Sequence, residues 1–280
     1  MIARHLRRAK GKLSEQTIDD RRKLLYRLDR ELPEGLCKAT QEELEEWLVG
    51  PEDRPWARET RRTYFMHLRC FFRDASNPRR SEHLDYDPTE GIACPTAPAG
   101  LPRPATEDQL AAALTRLPAP YSRAVALAAY AGARAAEVAA LLREEVTARS
   151  LLLHGKGGKD RLVPTHPAVW SRIEHLPPGP IIVREVHRER EADGDYVSSR
   201  VTVWLGRIGY PELTLHQFRH RFATLALRPR EFGGAGASLR TVQELLGHAN
   251  PAVTARYTAV SERERDVCVA ALPMYSPDPS

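Results

Sequence analysis

The sequence predicts a mainly α-helical protein of two domains, the second carrying a small antiparallel β-sheet. Three observations lead there. Two capping boxes, Thr40-Gln41-Glu42-Glu43 and Thr106-Glu107-Asp108-Gln109, each open an apolar-periodic run; hydroxyl and third-residue side chain satisfy first-turn amides reciprocally. Apolar residues recur at helical spacing over most of the 280 residues. One pair of β-type runs, 151–154 and 161–163, flanks Gly157-Gly158, a hairpin signal. Four prolines between 93 and 105 mark a break. The expected boundaries are a helical domain over 1–94, a linker over 95–105 and a second domain over 106–280, the linker acting as a strap between them.

Taken in order, Ser14 can cap a helix running to Leu32, with Ile18, Leu25, Leu28 and Leu32 on one stripe and Arg21, Arg22, Lys23 and Arg27 opposite. The first capping box opens a short helix that buries Leu44, Trp47 and Leu48. Pro51 and Pro55 separate it from a third helix over 56–74, which buries Tyr64 or Phe65, Leu68, Phe71 and Phe72 and presents Arg58, Arg61 and Arg62. That basic face reads either as a solvated surface or as one that tracks DNA phosphates. The second box turns Leu110 and Leu114 inward, and an alanine-rich helix follows over 120–130. Arg134, just after Gly132, starts a helix AAEVAALLREEV, where it can pair with Glu137. Lys156 and Lys159 flank the hairpin tip. A third strand is expected around 181–183, a charged loop over 185–195 and a helix over 197–208.

Hydrophobic residues make up 42% and charged residues 28%, an ordinary globular composition rather than a disordered one. No apolar run reaches the roughly 18 residues that suggest a membrane span, so no membrane partner is expected. The basic start MIARHLRRAKGK lacks the apolar core of a signal peptide. Cys37, Cys70, Cys94 and Cys268 form no C-x-x-C pair, which fits a reducing cytoplasm. A formal charge of +5 favours a polyanionic partner without specifying one. The hairpin glycines and lysines lack the spacing of a nucleotide phosphate loop. His216 and His220 stand four apart, but Gln217 occupies the place of the glutamate in H-E-x-x-H. Neither metal nor cofactor is expected.

The informative stretch is LTLHQFRHRFATLAL, a glycine-rich interruption, then SLRTVQELLGHANPAVTARY. Leu215, Phe218, Phe222 and Leu225 would anchor one helix, from which His216 and Arg219 project three apart. Gly247 suits the end of the next helix, with His248 after it and Tyr257 nine residues further on. Cations and imidazoles beside one tyrosine suit an anionic phosphate.

Together with A-G-A-R-A-A-E at 131–137 and H-G-K-G-G-K-D-R-L-V-P at 154–164, the pieces H-Q-F-R, L-L-G-H and Tyr257 resemble, in order, the motifs of the tyrosine recombinases, or phage-type integrases. The resemblance implies an N-terminal, SAM-like helical domain that binds core-site DNA and a mixed catalytic domain, in a minimal two-domain form. It implies Arg134 and Arg219 as a phosphate clamp, His216 as general acid/base, His248 as a hydrogen-bond donor to phosphate, Lys156 as the acid at the departing 5′-oxygen and Tyr257 as nucleophile. Arg58, Arg61, Arg62 and Lys159 would contact the DNA backbone. The implied partners are double-stranded recombination core sites and three further copies, in a homotetramer joined by exchange of a C-terminal helix over 262–272. The implied activity is site-specific integration or excision. A chromosome-dimer resolving recombinase, a type IB topoisomerase and a catalytically silent DNA-binding protein are the alternatives. The interruption over 228–238 is longer than the tight connection the family implies.

Overall fold

The computed structural model describes residues 1–13, 15–96, 103–155, 158–185 and 191–247. Ser14, Lys156, His248, Tyr257 and the expected helix over 262–272 lie outside them. The chain divides into two compact units, Met1–Gly100 and Leu101–Ser280, each with its own apolar core.

The first unit contains α1 (Ile2–Ala9), α2 (Glu15–Glu31), α3 (Gln41–Val49) and α4 (Arg58–Ala75). Leu25, Leu28, Leu44, Phe65, Leu68, Phe71 and Phe72 fill its core. Phe65, not Tyr64, takes the inward position. Thr40 caps α3 as expected: its hydroxyl accepts from the Glu43 amide, and its own amide donates to the Glu43 carboxylate at 2.8 Å. Trp47 is only half-buried. Its indole packs against Trp56 and Tyr64, and its N–H donates to Glu31 at 2.7 Å. Helix α1 is an addition to the sequence reading. Ile2, Leu6 and Ala9 make a buried stripe, and His5 Nδ1 lies 2.8 Å from the Asp74 carboxylate at the end of α4. Burial pushes the His5 imidazole below its ordinary value, so at neutral pH this contact is a hydrogen bond more than an ion pair.

The second unit contains α5 (Glu107–Arg116), α6 (Ala119–Ala131), α7 (Ala135–Ala140), β1 (Ser150–Leu153), β2 (Arg161–Pro164), α8 (Pro167–Ile173), α9 (Gly194–Arg207), α10 (Leu215–Leu227) and α11 (Leu239–Leu246). Helix α6 is buried on nearly every side, and α5, α8, α9 and α10 all pack against it. Its alanines are small enough to let several helices approach at once. The capping box at Thr106 is formed. Strands β1 and β2 pair antiparallel, with Leu151 opposite Val163 and Leu153 opposite Arg161.

Two expectations need correction. Among the described residues the sheet has two strands, not three. Pro177, Pro178 and Pro180 have no N–H to give a ladder, so the segment near 181 makes an isolated bridge, Leu142 to Pro180, with bonds from the Ile181 amide to the Leu141 carbonyl at 3.1 Å and from the Arg143 amide to the Gly179 carbonyl at 2.8 Å. Those same contacts hold Leu141 and Leu142 extended. The helix expected from Arg134 onward therefore stops at Ala140, and Arg143–Glu145 forms a separate 3₁₀ turn. The 228–238 interruption folds back on the end of α10: the Ala235 and Ala237 amides donate to Leu225 and Ala226 carbonyls, each at 2.8 Å. Among the described residues, no helix is long and apolar enough to cross a membrane.

Candidate active site

The site is assembled by two helix ends, one strand and helix α10. Gly132 ends α6 in the left-handed region (φ 63°), and a Cβ there would meet the Phe222 ring at 2.8 Å. The turn it allows places Arg134 at the N-cap of α7. There the Arg134 amide and guanidinium each donate to the Glu137 carboxylate at 2.7 Å. At the other end, Gly247 closes α11, also left-handed at φ 63°.

Glu137 is the hub. Its side chain is 3% exposed, and two more arginines reach it. Arg161, on β2, sets its fork on both carboxylate oxygens at 2.7 and 2.8 Å. Arg219, on α10 and 1% exposed, lies 3.8 Å away. Burial alone would raise the Glu137 carboxyl. The hydrogen bonds from Arg161 and then Arg134 outweigh it and hold the group at about 2.

The same three guanidiniums also reach the end of α11. Arg161 Nε donates to the Leu245 carbonyl at 2.8 Å, Arg219 to the Leu246 carbonyl at 2.8 Å and Arg134 to the Gly247 carbonyl at 3.3 Å. Arg219 donates in addition to the Gly132 carbonyl. The last carbonyls of a helix lack intrahelical partners and carry its partial negative charge, so arginines are suited to them. Three guanidiniums face one carboxylate and a helix end equivalent to roughly half a negative charge. The surplus is positive.

Arg134, His216 and Arg219 line one cleft, with Asp195, Ser198 and Leu215. His216 and Arg219 sit on α10 as expected, but differently. His216 is exposed, whereas Arg219 is buried beneath it with its guanidinium on main-chain carbonyls. Phe218 is buried and Phe222 only half-buried on the same helix. The rings of His216 and His220 meet edge to face, centroids 4.3 Å apart. Lys159 is exposed beside the hairpin. The hairpin root is held by His154, 2.6 Å from Glu145 and 3.2 Å from Asp160. The bonds to Glu145 and then Asp160 push this imidazole up. In the first unit Arg58 and Arg62 are exposed on α4, and Arg61 is half-buried. The positions of Lys156, His248 and Tyr257 lie outside the described residues.

Comparison with known families matches residues 103–264, more than half of the chain, to the Phage integrase family. The chain belongs to that family, the tyrosine recombinases. Tyrosine recombinase XerA of Pyrococcus horikoshii is 33% identical over 196 residues, 65% of this chain and 65% of that protein. XerA of Thermococcus kodakarensis is 33% identical over 210 residues, 69% of this chain and 68% of that protein. XerC of Rhodospirillum centenum is 33% identical over 240 residues, 76% of this chain and 66% of that protein. The matched stretch thus spans about two thirds of these relatives' own length. Among solved structures, a lambda integrase dimer bound to a COC′ core site aligns with a TM-score of 0.71 at 18% identity, covering 94% of this chain and 77% of that one. XerH bound to a palindromic difH substrate aligns at 0.67 and 16% identity, covering 96% and 94%. At these identities the likeness is one of fold.

From the sequence of this recombinase, Arg161 is expected only as a strand residue. A signal was present: side chains two apart share a strand face, and Val163 is plainly apolar. An arginine two residues earlier therefore faces inward, where it needs a carboxylate.

Proposed function

We propose that this recombinase cuts and rejoins double-stranded DNA at specific core sites through a 3′-phosphotyrosine formed by Tyr257, with neither ATP nor metal. One observation carries the reading. Three guanidiniums converge on a single buried carboxylate, and two of them, Arg134 and Arg219, line a cleft with His216, set against one exposed carboxylate, Asp195, where a phosphate would sit. A fixed, water-poor cluster of that kind stabilises charge that develops on phosphate oxygens without reorganising during the reaction.

The chemistry needs that help. A phenol with an ordinary pKa near 10 is about one part in a thousand ionised at neutral pH, a deficit of roughly 4 kcal/mol. In the proposed step Tyr257 Oη attacks phosphorus while His216 takes its proton. The bond from phosphorus to the 5′-oxygen breaks, and Lys156 protonates that oxygen. Arg134, Arg219 and His248 hold the non-bridging oxygens through the crowded transition state. A free 5′-hydroxyl then reverses the step and rejoins the strand. Arg58, Arg61, Arg62 and Lys159 are assigned to backbone phosphates, and the working assembly to four copies on two duplexes, linked by the C-terminal helix. Integration or excision of an element is the first reading. The Xer-type relatives support resolution of chromosome dimers as the second.

The test uses a nicked suicide substrate carrying a core site found by footprinting DNA that flanks the gene. Wild-type protein is expected to become covalently joined to it, and Tyr257→Phe to bind it without joining. Equal trapping by both contradicts the assignment. Relaxation of arbitrary supercoiled plasmid by a monomer would point to a topoisomerase instead.

A further inference from the structure

We propose that Arg161 is a positioning residue of this site: its guanidinium couples Glu137 to the carbonyl end of α11, and so fixes Arg134 relative to the turn that leads into His248. The inference rests on the function proposed above and gives a role to a residue that the resemblance left without one, although it lies within the 154–164 stretch.

Three observations support it. First, every nitrogen of the Arg161 guanidinium is used within the protein: two on the Glu137 oxygens and Nε on the Leu245 carbonyl. Second, the side chain is 10% exposed and lines none of the cleft that holds His216, so it is not placed to touch a phosphate there. Third, Gly247, which closes α11, lies directly against it. A Cβ on Gly247 would stand 3.0 Å from Arg161 Nη1, so the left-handed glycine and the guanidinium fit against each other. Arg134 contrasts with this. It is 39% exposed and makes one short side-chain bond to Glu137 and a longer one to Gly247, which leaves donors for a ligand. Arg161 is thus the strut, and Arg134 the arm it holds.

A lysine at 161 keeps the charge, but it cannot donate in one plane to two carboxylate oxygens and a carbonyl. Small misplacements of reacting groups cost on the order of 100-fold in rate. The full-length chain carrying Arg161→Lys is therefore expected to trap the suicide substrate about 100-fold more slowly in single turnover. Its affinity for intact core-site DNA should stay within about threefold, since no phosphate contact is removed. Glu137→Gln is expected to slow trapping as well, and the double variant to be no slower than the worse single one, because both cut the same link. Trapping by Arg161→Lys at the wild-type rate overturns the role, as do losses that multiply in the double variant. If Arg161→Lys no longer melts cooperatively, Glu137→Gln alone decides, since it keeps shape and one acceptor: slowed trapping at unchanged affinity supports the strut, and unslowed trapping overturns it. A wild-type protein that never traps DNA removes the proposed function itself, whereas trapping by wild type and Arg161→Lys alike removes only this inference.

Discussion

The arginines of the two units are used in contrasting ways. On α4, Arg58 and Arg62 extend from an exposed helix face. In the second unit Arg134, Arg161 and Arg219 surround Glu137 and the end of α11, tied down from several directions. Exposed arginines cost little to keep and are free to adapt to a polyanion, but they carry no defined geometry. Clustered arginines are expensive to bury, and only a paired carboxylate and orphan carbonyls make that tolerable. In exchange, their donors are fixed in space. The first arrangement suits sequence-independent grip on a backbone; the second suits stabilisation of one phosphorus.

Removing the hub should break this contrast most sharply. Glu137→Ala leaves buried guanidiniums without their carboxylate, and the second unit is expected to lose about 3–5 kcal/mol in urea denaturation. Arg62→Ala, by comparison, should change stability by no more than about 0.5 kcal/mol. Acid gives a second handle. The Glu137 carboxyl lies at about 2, below its ordinary 4.5, so its contribution is complete above 4.5 and is lost as pH falls through about 2. Denaturation midpoints of the wild type should drop across that window more steeply than those of Glu137→Gln.

On DNA the order reverses. Arg58→Ala and Arg62→Ala should each reduce the slope of log affinity against log salt by about 0.9 if each neutralises one phosphate, with little effect on the rate of trapping. An unchanged slope would assign that face to solvent. The smallest effect is at the hairpin root. His154 is raised above 6.5, so its ion pairs contribute fully below 6.5 and are lost as pH rises through the raised value. An NMR titration should place its midpoint above 6.5, and Glu145→Gln should lower it.

Local signals were legible in the sequence, and long-range pairings were not. Thr40 and Thr106 cap their helices, Phe65, Leu68, Phe71 and Phe72 form the predicted stripe, and Gly247 closes α11, because each depends on neighbours within a turn or two. Helix α1 escaped because a short, arginine-rich segment becomes a helix worth forming only when α2 and α4 cover its stripe and Asp74 receives His5 and Arg8. The third strand failed on prolines, whose missing donors outweigh the apolar pattern of Ile181 and Ile182. Arg161 was overlooked for a related reason. Its partners, Glu137 and Leu245, are distant in sequence and meet only in the folded unit.

The most direct test of the central claim is to digest the covalent protein–DNA adduct and identify the modified peptide by mass spectrometry. The account predicts a nucleotide remnant on the phenol of Tyr257, joined through a 3′-phosphate. A remnant on Tyr275 or any other residue, or a linkage through the 5′-phosphate, would contradict it.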